Sequence, residues 1–225
     1  GPALRRPSPA GDEMKRTLAS WSAGAVAGLT LAGCLFRTAE APRFYRPASA
    51  ALDDAHDGPA APAAVDGVAI RLRTVRSAPF LGERIVWRAS PVEYGLYEQR
   101  RWFELPSRYV RRALVTALLE TPGLRLGDDP SAPRLDVEIL AFDEVLPPTH
   151  QASVALAVIL RDGTRTRLDR TYAAQVAIAA GDGAAMAQAM GQALDEVVRK
   201  VAQAVATELT TEKKPPVATR AHGAK

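Results

Sequence analysis

The chain has 225 residues, with 29 Lys and Arg against 25 Asp and Glu, a net charge of +4. That near-balance leaves no basic footprint for nucleic acid. A single cysteine, Cys34, excludes a disulfide framework, a CxxC pair and a cysteine-based zinc pattern.

Residues 1–13, GPALRRPSPAGDE, do not fit a targeting segment and are read as a misassigned start or a non-native remnant. Met14, Lys15 and Arg16 form a start and a positive n-region, so 14–33 reads as a signal peptide. Residues 18–33 are nearly uncharged, but at 16 residues they fall short of the roughly 20 a spanning helix needs. The run ends in Leu31-Ala32-Gly33-Cys34. Small residues at Ala32 and Gly33 let a peptidase approach the backbone, and the Cys34 thiol is a nucleophile for a diacylglyceryl group. The pattern resembles the bacterial lipobox. That resemblance implies a diacylglycerol on Cys34, cleavage before Cys34 and an acyl chain on the new amino terminus, with no other cofactor. The competing reading is a lone buried cysteine at the end of a helix, but the run has no polar face to make it amphipathic. By analogy with other lipoproteins, Leu35 in place of Asp implies passage to the periplasmic face of the outer membrane in a Gram-negative envelope. More than one acyl chain would anchor the protein firmly, at about 0.8 kcal/mol per buried methylene. Without residues 1–33 the chain holds 25 basic and 23 acidic side chains, a charge of +2.

Residues 34–66 are rich in Ala, Pro and Asp and are expected to be a lipidated tether, with a reach of up to roughly 100 Å. Phe44-Tyr45 is the exception, an aromatic pair able to dock as a short strand. From Val68 the pattern changes. Val68, Ile70 and Leu72 alternate with Arg71 and Arg73, a half-buried strand. Strands are also expected over 84–88 and 93–103. Val110, Ala113, Leu114, Ala117 and Leu118 form one stripe of a helix over 107–121, with Ser107 as its cap and Pro122-Gly123 as its stop. Strands follow at 134–146, 152–161 and 164–178, the last two joined at Asp162-Gly163. A long helix over 184–209 carries Met186, Met190, Ala193, Val197 and Val201 on one side. The tail, 211–225, is polar and expected to be disordered. The order β-β-β-α-β-β-β-α predicts an α/β (α+β) two-layer sandwich: about six strands, mixed or mostly antiparallel, with two amphipathic helices on one face.

Signs of catalysis are sparse. His56, His150 and His222 have no second ligand at helical or hairpin spacing, so no metal site is expected. There is no GxSxG, P-loop or GxGxxG. Asp143 and Glu144 could be a working carboxylate pair, but a solvated strand end accounts for them. Met186 and Met190 read as core. The segment 93–106, EYGLYEQRRWFELP, mixes aromatics with arginines in the manner of a protein interface. Its partner-contact candidates are Tyr94, Tyr97, Arg101 and Trp102. The plain alternative is that Tyr94 and Trp102 belong to the core.

The stretch IVWRASPVEYGLYEQRRWFELPSRYVRRAL resembles the signature region of the ABC-type transport auxiliary lipoproteins, the PqiC-like family. The matching elements are the lipobox, Phe44-Tyr45, Tyr94 and Tyr97, Arg101-Trp102 with Pro106, and the helix over 110–118. The resemblance extends over about 44–209 and makes 67–210 the auxiliary domain. It implies a non-catalytic partner of an MCE-type lipid-transport system, in which an ABC ATPase and permease work with a periplasm-spanning MCE-domain protein. The lipoprotein would dock that bridge at the outer membrane, with a homo-oligomeric ring as one arrangement. Two other functions compete: an envelope-assembly lipoprotein for lipopolysaccharide or secretion machinery, and a lipid-anchored enzyme using Asp143, Glu144 or His150.

Overall fold

A computed structural model describes residues 40–57, 67–179 and 181–210. Cys34 with Leu31, Ala32 and Gly33, the signal peptide and the tail lie outside the described residues. Residues from Pro42 onward form one unit and Gly1–Ala41 another; Glu40 and Ala41 alone are described in the latter.

Among the described residues there are eight strands and three helices. The strands are β1 (Arg43–Tyr45), β2 (Val68–Ser77), β3 (Arg84–Ser90), β4 (Glu93–Trp102), β5 (Leu124–Leu126), β6 (Arg134–Val145), β7 (Gln151–Asp162) and β8 (Arg165–Ala177). The helices are α1 (Ala50–Asp57), α2 (Pro106–Glu120) and α3 (Gly183–Thr210). The two-layer mixed α/β reading holds, with a wider sheet than expected: Phe44-Tyr45 does dock as a short strand, β1, while β5, also three residues, carries too little pattern to announce itself.

The sheet forks at β6. One edge of β6 pairs antiparallel with β7 along its whole length, and β7 pairs with β8. The other edge is shared end to end: β2 runs parallel to its first half and β3 to its last residues. β5 extends the β2 branch, while β4 and then β1 extend the β3 branch. α2 packs on β2 and β5, α3 on β7 and β8, and the helices pack on each other, so both lie on one face. Their apolar stripes, including Leu114, Leu118, Met186, Met190 and Val197, are fully buried. Gly163 turns the β7–β8 hairpin at φ +55°, which glycine adopts without strain. Among the described residues no helix is long and apolar enough to cross a membrane.

Two expectations are corrected here. Ser107 does not cap α2: Leu105 occupies that place without a side-chain hydrogen bond, and Pro106, lacking an N–H, begins the helix. Residues 43–57, read as part of the tether apart from Phe44-Tyr45, are docked on the domain. β1 pairs with β4 in register Tyr45↔Trp102, and α1 packs on α2 and α3 with Leu52 buried. Asp195 of α3 accepts hydrogen bonds from Ser49 Oγ at 2.5 Å and Ala50 N at 2.9 Å, satisfying donors at the start of α1. The Ala/Asp-rich composition of 50–57 hid this docking, because one buried leucine and a capping carboxylate 140-odd residues away replace an amphipathic stripe.

Candidate functional site

The sheet carries an apolar groove of about 610 Å³, lined by Phe80, Val86, Tyr94, Gly95, Leu96 and Leu140. Each wall has a local cause. The β6–β7 register shifts between Ile139 and Ala141, which makes Leu140 the extra residue of a bulge. A bulge re-aims a side chain, and Leu140 is accordingly 41% exposed at the groove. Val86 pairs with Leu96 across β3 and β4. The Trp87 indole lies where a Cβ on Gly95 would be, so position 95 needs glycine for a close approach. Phe80 tilts against Tyr94 with ring centroids 6.1 Å apart. Tyr94 is half exposed, and the Arg88 guanidinium stands 5.8 Å from its ring centroid.

Arg88 links the groove to a buried charge cluster. Its Nε donates to Asp143 Oδ2 at 2.9 Å. Arg100 Nη1 donates to Glu144 Oε2 at 3.3 Å, and His150 Nε2 lies 3.0 Å from Glu144 Oε1. Arg100 also sits 4.5 Å over the Tyr97 ring. Burial raises the Asp143 carboxyl against the opposing pull of Arg88. Burial, and then the neighbouring Glu144 carboxylate, push the Tyr97 phenol up to about 12. Asp143 and Glu144 are 2% and 3% exposed, so the solvated strand end expected for them is corrected. The alternation read along β6 breaks at the Leu140 bulge, and Phe142, Asp143 and Glu144 follow as three consecutive buried residues. Each carboxylate is matched by an arginine, as burial of a charge requires. The pairing is an architectural one: it ties β6 to β3 and β4.

The four contact candidates part company. Tyr94 faces the groove. Tyr97 is half-buried beside Glu144. Arg101 is half-buried, with Nη1 3.8 Å from Glu83. Trp102 is 1% exposed and makes edge contacts with Phe142 and Tyr109 at centroid distances of 5.1 and 6.3 Å. Its place in the contact set is therefore corrected, since it has no surface to offer. Phe80, Leu96 and Leu140 were missed. Leu140 had no signal, because only the bulge exposes it. Met186 and Met190 are core, as expected.

A family model described as "ABC-type transport auxiliary lipoprotein component" matches residues 51–202. The chain belongs to the ABC-type transport auxiliary lipoprotein family. Its fold is similar to a crystal structure of a Xanthomonas campestris protein assigned to the family DUF330, at 18% identity and TM-score 0.63, covering 77% of this chain and 99% of that one. It is similar also to a crystal structure of an uncharacterized protein, at 14% identity and TM-score 0.58, covering 74% and 99%. No curated protein matches the sequence. The family is described as a transport auxiliary component and is not one of known enzymes.

Proposed function

We propose that this auxiliary lipoprotein is a non-catalytic subunit of an ABC/MCE-type phospholipid transport system, anchored through lipid on Cys34 at the periplasmic face of the outer membrane. It acts by docking the periplasm-spanning MCE-domain component. The observation that carries the docking is the exposed groove. Phe80, Tyr94, Leu96 and Leu140 offer a concave apolar surface with a rigid aromatic rim, and such surfaces mark binding sites. Tyr94 is the central contact, and Tyr97 and Arg101 support it from the same strand. The buried Asp143 and Glu144 pairs hold β3, β4 and β6 rigid behind the groove, which lowers the ordering cost of binding.

The test is mild crosslinking in living cells followed by purification through a C-terminal tag. Recovery of an MCE-domain protein with its permease or ATPase is expected, and Tyr94→Ala with Leu96→Ser should reduce it. Recovery of lipopolysaccharide-assembly or secretion components alone would replace this reading with the envelope-assembly one.

A further inference from the structure

The docked segment at 43–57 changes where the chain leaves its domain. Nine residue steps separate Cys34 from Arg43, at most about 32 Å of extended chain. A domain of this length is about 40 Å across, so a lipid at Cys34 keeps β1 within reach of the bilayer, less than one domain width away. β1 ends the sheet path on that side, and β8 ends it on the other.

The surface around β1 carries a second exposed apolar patch. Phe44 and Phe103 are 56% and 71% exposed, and Leu105 is 43% exposed. Backbone pairing brings them together: Phe44 is in register with Arg101, and Phe103 N donates to Tyr45 O at 2.8 Å. Leu105 follows two residues later at the start of α2. The same segments carry Arg43, Arg46, Arg101 and Arg108. Charges beside the patch pair with one another: Glu104 is held by both terminal nitrogens of Arg112, at 2.7 and 3.0 Å, Asp53 is paired with Arg46, and Glu83 faces Arg101. Large exposed apolar side chains suit the boundary of headgroups and acyl chains.

We propose that the β1 edge, through Phe44, Phe103 and Leu105, rests on the phospholipid headgroup layer that holds the Cys34 lipid. The face is distinct from the Tyr94 groove, which it leaves available to a protein partner. The inference rests on the reading of Cys34 as the lipidated residue.

The experiment uses the full lipidated chain in vesicles of phosphatidylethanolamine and phosphatidylglycerol. Because lipidation consumes the only thiol, one cysteine can be introduced and labelled with an environment-sensitive fluorophore, at Arg108→Cys beside the patch or at Asp169→Cys on β8. Spin-labelled lipid then quenches whichever label lies at the headgroups. Quenching at 108 is expected to exceed that at 169 severalfold, and to fall to the level at 169 in Phe44→Ser/Phe103→Ser. Flotation with the vesicles reads the anchor separately. A chain that floats while both labels quench equally, or while the double serine variant changes nothing, overturns the membrane face and leaves the anchor standing. A chain that does not float overturns the Cys34 reading, and the membrane face with it.

Discussion

Tyr94 and Trp102 lie on one strand, eight residues apart, yet only one of them meets solvent. The irregular register between β3 and β4, where Arg84 opposes Arg101 but Val86 opposes Leu96, separates their environments. Trp102→Ala is expected to cost about 3–5 kcal/mol in urea unfolding, the usual penalty for emptying an aromatic core position. Tyr94→Ala should leave stability within about 1 kcal/mol, since it removes a half-exposed ring and a surface cation–π contact, while lowering partner recovery. Similar losses of stability in both variants would put Tyr94 in the core after all. Tyr97 gives a second test. Its phenol is raised to about 12, first by burial and then by Glu144, so in the folded chain it keeps its proton above the value of a free tyrosine. Between about pH 10 and 12 the unfolded chain loses that proton first, and stability falls across the window. The difference in phenolate absorbance between the parent and Tyr97→Phe should therefore rise near pH 12, and Glu144→Gln should move it back toward 10. Titration at 10 in the parent would mean that the phenol is neither buried nor set beside the Glu144 carboxylate. Residue by residue, composition told little here: EYGLYEQRRW marked an interface, but which aromatics are buried depends on a bulge that no residue type announces.

Elements with a period were readable, and elements held by distant partners were not. The stripes of α2 and α3 and the alternation of β2 and β6 carried their own signal over ten residues or more. β5 and α1 did not, because each is made by a neighbour, β5 by β2 and α1 by Asp195 and Gly191; β1 showed only as the aromatic pair Phe44-Tyr45, which docks on β4 as a short strand. A Cβ at Gly191 would collide with the Ala48 backbone, and Ala48 N donates to Ala187 O at 3.1 Å, so α3 is built with a notch for the incoming chain. Asp195→Ala leaves the buried Ser49 hydroxyl and the Ala50 amide without this acceptor, at a cost of about 1–3 kcal/mol. Hydrogen exchange should report it locally. Amides at 50–53 are expected to lose protection while those of β6 and β7 keep theirs. Unchanged protection at 50–53 would show that Leu52 alone holds α1.

At the scale of the whole molecule the two readings of the amino-terminal region make different machines. A tether running to residue 66 would let the domain roam far from its membrane, whereas docking of 43–57 leaves nine steps between Cys34 and β1, about 32 Å at most. On the proposal that Cys34 carries the lipid, the anchor and the domain are mechanically coupled, and processing at Cys34 sets where the groove can be presented. Cys34→Ala removes the only thiol, and with it the nucleophile for the diacylglyceryl group. The precursor should remain uncleaved, retained at the inner membrane by residues 14–33, with its domain folded but its groove displayed from the wrong bilayer. Fractionation should show the larger species away from the outer membrane, and the crosslinked MCE-domain protein should be lost although the groove residues are untouched. Normal size and outer-membrane fractionation of Cys34→Ala would exclude Cys34 as the lipidation site. Correct retention of the precursor with undiminished partner recovery would instead separate anchoring from docking, and make the short span a property of membrane attachment alone.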